Sequence, residues 1–234
     1  MSFGNMQKMK AVTFSYDDGV VQDIRLVELL NKYGLKCTFN LNSDRFGRKN
    51  IFQRDIGRIC GYRVHADDVK YIYEGHEVAV HTLTHPHLTE LNDADVIREV
   101  EQDRLNLSDM VGYEVVGMAY PFGLPASEER VPRLIKENTG VLYSRTTILT
   151  DSYDKQNDLY RFAPNEFHLH FDRLMEMGEK FIEMKPDKPQ LFYIWGHAYE
   201  MDYASENWVR LEEFFKLISN HDDIFYGTNK EVLL

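Results

Sequence analysis

The sequence predicts an α/β fold, a single-domain, distorted (β/α) barrel with seven or eight parallel strands. Three observations lead there. Short β-rich apolar runs alternate with longer amphipathic stretches along the whole chain, the pattern of parallel strands joined by right-handed helical crossovers. The chain has 234 residues, somewhat fewer than the roughly 250 of a typical barrel and enough to bury one sizeable core without a staple. No G-x-G-x-x-G follows the first strand, which argues against an open dinucleotide-binding sheet. With no internal repeat and no Pro/Gly/Ser-rich linker, residues 1–234 read as one domain.

Ala11–Ser15 is the first strand and runs into Asp17-Asp18-Gly19. Residues 20–33 then place Val21, Ile24, Leu26, Val27, Leu29 and Leu30 at helical spacing, with Gly34 as the C-cap. The spacing predicts a strand over 35–41, a helix over 66–74 closed by Gly75, and the strand His76–Val80. A helix over 92–111 leads to a strand over 115–119, and one over 127–138 leads to a strand over 141–144. The last third predicts a helix at 171–184, the strongly apolar strand Gln190–Trp195, a helix at 205–219 and a short strand over 223–226.

Composition narrows the function. The 27 Lys and Arg face 38 Asp and Glu, a formal charge of −11, with no basic stretch to displace counterions from phosphates. Nucleic acid and acidic membrane surfaces are poor partners for that field, and a neutral or cationic ligand is favoured. No apolar run approaches the roughly 18 residues of a membrane span. The N-terminal stretch shows no apolar signal core, and Cys37 and Cys60 are too few for a disulfide framework. The expectation is a cytoplasmic protein with both cysteines buried.

Four polar clusters fall at predicted C-terminal strand ends, the face on which a parallel barrel builds its active site: Asp17-Asp18-Gly19, His81-Thr-Leu-Thr-His85, Tyr120-Pro121-Phe122-Gly123 and His197. Spacing of i, i+4 can put His81 and His85 on one ion; alone it fits a helix cap or a solvated surface as well. Asp17 and Asp18 are good turn chemistry, but two adjacent carboxylates at a strand end also suit a division of labour, one holding a cation and the other acting as a base. His197 follows an apolar strand and Gly196, where an imidazole can protonate a leaving group or simply cap the rim. Gly196 and Gly123 would let the backbone approach a ligand. His168, His170 and Asp172 alternate along one predicted extended face and read as solvated polar residues after a strand rather than as a second metal site. His76 reads as a strand start, and His65 and His87 as rim or loop.

Read together, these residues resemble the polysaccharide deacetylase family of metal-dependent carbohydrate esterases. Ser15-Tyr-Asp-Asp-Gly19 resembles the family's Thr-Phe-Asp-Asp-Gly, and His81-Thr-Leu-Thr-His85 its His-Ser/Thr-x-x-His. Lys36-Cys-Thr-Phe-Asn40, Ala119-Tyr-Pro-Phe-Gly123 and Ile194-Trp-Gly-His197, continued by Tyr199-Glu200, resemble further motifs, so the likeness runs over about residues 11–229. It implies Asp17 as general base, Asp18, His81 and His85 as metal ligands, and His197 as general acid. It also implies an oxyanion donor at the Phe122 N–H within Tyr120-Pro121-Phe122, and Trp195 as a wall for the acetyl methyl.

The chain departs from the pattern at Ala119, where the family often has an Arg that orients the base. Arg161 is the expected substitute, with Arg145 as runner-up. Phe122 also replaces the usual Tyr, and Trp195 the usual Leu.

The resemblance implies one divalent ion, zinc in the first instance and cobalt, nickel, iron or manganese as alternatives. The substrate expected is an acetylated oligosaccharide, sugar conjugate or small amide, mainly N-acetylated, with no nucleic acid or membrane partner and a homo-oligomer left open. Two other readings share these residues: hydrolysis of a cyclic imide or ureide on the same scaffold, and a carbohydrate-binding pseudoenzyme.

Overall fold

The computed structural model describes Phe3, residues 8–54 and residues 57–234. Its frame is a sheet of parallel strands. In chain order these are β1 (Lys10–Asp17), β2 (Cys37–Leu41), β5 (Glu77–Val80), β6 (Gly117–Ala119), β7 (Tyr143–Arg145), β8 (Glu166–Phe167), β9 (Gln190–Gly196) and β10 (Ile224–Tyr226), while β3 (Lys49–Arg54) and β4 (Gly57–Tyr62) form a separate antiparallel hairpin. The path β7-β6-β5-β2-β1-β9-β8 curls into a half-barrel, and β10 lies beside the start of β1. Residues 162–168 reach across the gap between its edges: Phe162 N donates to Ser144 O at 3.0 Å at one end, and His168 N donates to Trp195 O at 2.9 Å at the other.

The helices are α1 (Gln22–Lys32), the one-turn α2 (Val69–Ile72), α3 (Asp93–Val111), α4 (Arg130–Asn138), α5 (Phe171–Glu183), α6 (Asn207–Ile218) and α7 (Asn229–Leu233). Alternation along β1 sorts its residues. Val12, Phe14 and Tyr16 belong to the main apolar core, with Phe14 edge-on to Phe215 at 5.1 Å, and the pleat sends Thr13, Ser15 and Asp17 to the opposite, inner face.

That inner face is polar and satisfied. Glu77 accepts from Thr38 Oγ1 at 2.8 Å, Tyr143 OH at 2.7 Å and Lys230 N at 2.9 Å, so one buried carboxylate ties three elements and the start of α7 together.

The predicted strands are present, some trimmed by a residue or two. The helix expected over 66–74 is shorter, a single 3-10 turn at Ala66–Asp68 running into α2. The hairpin had no signal in the sequence: along the described part of β3 and β4 only Phe52 and Gly61 are buried, so no alternating apolar face was there to read. β8, two residues long, is below any periodicity. Cys37 is buried as expected, but Cys60 is exposed because it lies on that polar hairpin. Among the described residues no helix is long and apolar enough to cross a membrane.

Candidate active site

Parallel register brings the strand ends to one rim. Asp17 pairs with Asn40 across β1 and β2, and Tyr16 pairs with Gly196 across β1 and β9, so the residues after β1, β2 and β9 open on the same face. They line a cleft of about 490 Å³ with Asp17, Asp18, His81, His85, Trp195 and His197 in its wall.

Asp17 is buried at the end of β1. Arg145, at the end of β7 and fully buried, reaches it with Nη2 at 2.6 Å and 2.5 Å from the two carboxylate oxygens. Asn40 Nδ2 donates to Asp17 Oδ1 at 2.8 Å and to Ser15 Oγ at 2.8 Å, which fixes the carboxylate's plane. Burial alone would raise the Asp17 pKa; the Arg145 guanidinium, together with His81 and His197, outweighs it, and the net shift is downward.

Asp18, His81 and His85 form the one group of three such side chains that could hold a metal ion among the described residues, with a ligand atom from each lying within 4.8 Å of the others. Their chemistry fits a divalent cation. His81 Nδ1 lies 2.8 Å from the Ala119 carbonyl, so that nitrogen carries the proton and Nε2 keeps its lone pair. Burial lowers the pKa of both imidazoles, His85 to about 3 with His81 adding to the effect, so both rings are neutral donors at ordinary pH. Asp18 is held ionised: burial opposes this, but Arg63, then the site's histidines, carry its pKa well below the usual range. Its Oδ1 is a buried oxygen that accepts no hydrogen bond from the described residues. Two oxygen or nitrogen ligands beside a third, with room for water, is the composition of a catalytic zinc-type site.

The loop carrying the histidines is braced from α3. Asp103 accepts from Ser43 N at 2.7 Å and His81 N at 3.2 Å, and Glu99 accepts from Thr84 N at 2.9 Å and Thr84 Oγ1 at 3.0 Å. Strain concentrates here. Of the five non-glycine residues with positive φ among those described, four are Asp18 (89°), Thr82 (67°), His85 (63°) and Phe122 (60°), all in loops at this rim. Each such conformation costs of order 1–3 kcal/mol and persists where its surroundings over-determine it.

His197 forms the opposite wall. Its Nδ1 donates to Glu200 Oε2 at 3.0 Å, leaving Nε2 3.9 Å from Asp17 Oδ2. The same Glu200 oxygen accepts from His168 Nε2 at 2.8 Å, and His168 Nδ1 meets the Tyr16 hydroxyl at 3.1 Å. Burial would lower the His197 pKa; the Glu200 carboxylate, helped by Asp18 and Asp17, overrides it and raises it.

His168 is therefore fully buried in this chain of hydrogen bonds and is not the solvated residue its spacing suggested. His170 and Asp172 do not share its face: His170 pairs with Glu166 at 2.7 Å, and the exposed Asp172 pairs with Arg210. Gly196 serves this packing, since a Cβ there would sit 2.3 Å from the His168 ring; at Gly123 it would meet Thr147 Oγ1 at 2.1 Å. Neither glycine is opened for a ligand by what surrounds it.

Arg161 is placed elsewhere. It donates to the carbonyls of Ala126 (2.8 Å) and Glu128 and does not meet Asp17; the arginine that does is Arg145, from a strand end. Tyr120 spends its hydroxyl on Tyr160 O at 2.9 Å, so its ring is core at the edge of the cleft. Pro121 is buried and does not line the cleft. Phe122 is 60% exposed on a turn closed by Gly123 N donating to Tyr120 O at 3.1 Å, and its ring stacks on His87 at 3.8 Å. Trp195 half-covers Arg145, whose guanidinium carbon is 4.6 Å from the ring centre. His76 stands just before β5 and accepts from Cys37 N at 3.2 Å.

Residues 4–141 match the family profile described as Polysaccharide deacetylase. No curated protein matches the chain. Among solved structures, a putative polysaccharide deacetylase from Mycobacterium smegmatis aligns with a TM-score of 0.64 at 15% identity over 100% of this chain and 92% of that one. A family 4 carbohydrate esterase from Streptomyces lividans in complex with acetate gives 0.55 at 14% identity over 94% and 93%. The peptidoglycan deacetylase PdaC from Bacillus subtilis gives 0.55 at 15% over 96% and 90%. At these identities the likeness is one of fold.

Proposed function

The chain belongs to the polysaccharide deacetylase family, and from that premise we propose that it hydrolyses acetyl groups, mainly N-acetyl, from a neutral carbohydrate or sugar conjugate with the help of one divalent metal ion. The observation that carries this reading is the meeting of a carboxylate and an imidazole, Asp17 Oδ2 and His197 Nε2, 3.9 Å apart beside the Asp18, His81 and His85 cluster.

Asp17 is the general base and takes a proton from the attacking water on a carboxylate oxygen; Arg145 keeps it ionised and turned toward the cleft. His197 is the general acid, releasing the proton on Nε2 to the departing nitrogen or oxygen. Asp18, His81 Nε2 and His85 would hold the ion, zinc or another first-row divalent metal, which when bound polarises the acetyl carbonyl and eases ionisation of water. The Phe122 N–H is the oxyanion donor, and the Trp195 ring excludes water from the acyl side.

Elemental analysis paired with acetate release from acetylated chitooligosaccharides, with and without chelator, tests the whole reading. About one metal per chain and chelator-sensitive acetate are expected. Ring opening of a cyclic imide without acetate would move the substrate class, and absence of both metal and turnover would leave a binding protein. His81→Ala should abolish stoichiometric cobalt or zinc uptake; full occupancy in that variant would overturn the ligand set.

Glu200→Gln separates the acid from the base. Glu200 raises the His197 pKa, so His197 stays protonated, and able to donate, to higher pH than a free imidazole. Loss of the charge lowers that pKa, so the alkaline limb of kcat/KM should move to lower pH while the acid limb, set by Asp17, stays in place. An unmoved alkaline limb would remove His197 from the acid role.

A further inference from the structure

Resting on the reading that Asp18, His81 and His85 hold a divalent ion, we propose that Arg63 is a built-in counter-charge to the ligand carboxylate Asp18 that weakens the site's hold on its metal. Arg63 follows β4, at the base of the hairpin, and is 5% exposed. Its Nη1 lies 2.9 Å from Asp18 Oδ1, donates to the Asp18 carbonyl, and approaches Asn42 Oδ1 at 3.3 Å. The approach to Oδ1 is an ion pair without a hydrogen bond, since that oxygen accepts none from the described residues.

Retreat is restricted. Arg63 N donates to Arg48 O at 3.0 Å, Val64 N donates to Gly19 O at 2.9 Å, and the Phe52 ring lies 5.5 Å from the guanidinium carbon. The backbone is thus tied to the Asp18-Gly19 turn itself.

The charge count makes the consequence specific. Asp17 is matched by Arg145 and Asp18 by Arg63, so the two carboxylates are neutralised by two guanidiniums before any ion arrives. The two histidine ligands add no negative charge. A site of this kind offers a dication one carboxylate already shared with a fixed cation, and in a buried setting like charges a few ångström apart repel strongly. The expected result is an ion that is held weakly and leaves readily. Arg63 is a positioning residue here: through the Asp18 carbonyl it also helps hold the φ of 89° that aims the carboxylate.

The test uses the full chain stripped by chelator, titrated calorimetrically with cobalt(II) alone and checked for metal content, so that no substrate is needed. Arg63→Met, of similar reach without charge, should bind cobalt about 10-fold or more tightly than wild type by the Coulomb argument. Arg63→Lys, which keeps the charge, should stay near the wild-type Kd. Should the Met variant not fold, Arg63→Gln, which can still donate to the Asp18 carbonyl and Asn42, carries the same expectation. A Kd unchanged or weaker in the uncharged variants, or a Lys variant as tight as the Met one, would overturn the proposal. Cobalt bound by neither wild type nor variants would remove the metal-site reading and this inference with it.

Discussion

Asp17→Asn is expected to lower kcat by about 10²–10⁴-fold, the usual worth of a positioned general base, while cobalt or zinc still binds at Asp18, His81 and His85. The substitution is nearly isosteric, and its surroundings favour a native-like placement: Asn40 Nδ2 and Arg145 Nη2 both donate toward this side chain, and an amide oxygen can accept from either. What is lost is the lone pair able to take a proton. Metal content and kcat, measured on the same preparation, split the two roles given to neighbouring carboxylates. Loss of metal together with activity would mean that Asp17 is a ligand, and turnover within about 10-fold of wild type would mean that the base lies elsewhere. A thermal melt belongs beside the assay, because Arg145 then faces a neutral group.

The parts of the site that share a short stretch of chain were legible in the sequence. Asp17 with Asp18, and His81 with His85, sit within one strand end or one loop, so composition and spacing alone could suggest a cation and a base. The parts assembled by the fold were not. Arg145 and Asp17 are 128 residues apart, and only the order β7-β6-β5-β2-β1, with the sheet curled, turns a buried guanidinium toward that carboxylate. A charged residue just past a predicted strand was the available signal, too weak to place Arg145 ahead of Arg161. Arg63 was hidden by the hairpin that carries it, whose exposed and polar sides leave no periodic trace. His168 was misread because the strand before it has two residues; its burial follows from the close approach that Gly196 permits on β9.

The same buried pair sets the second large effect. Arg145→Met should cost about 3–5 kcal/mol of stability near neutral pH, since removing one partner of a buried pair strands the other's charge. That is a large share of the roughly 5–15 kcal/mol that holds a domain together. In the wild-type protein the Asp17 pKa is lowered, so the pair's contribution is present above the unfolded pKa and is lost as pH falls through the folded value. In the variant the guanidinium is gone and burial is opposed only by the His81 and His197 rings, so the Asp17 pKa moves up from its wild-type position. Asp17 then takes up its proton at higher pH than in wild type, so the variant's deficit is smallest in acid, where the carboxyl is protonated in both proteins. The gap between the two proteins should therefore widen as pH rises from the acid range toward neutrality in urea denaturation. Adding Asp17→Asn to Arg145→Met removes the stranded charge, so the double variant should be more stable than the sum of the single losses predicts. Additive losses, or a gap independent of pH, would mean that the arginine is chiefly packing against Trp195. The carboxylate would then be held ionised by something other than its partner, and the account of Asp17 as a base kept charged by Arg145 would fail with it.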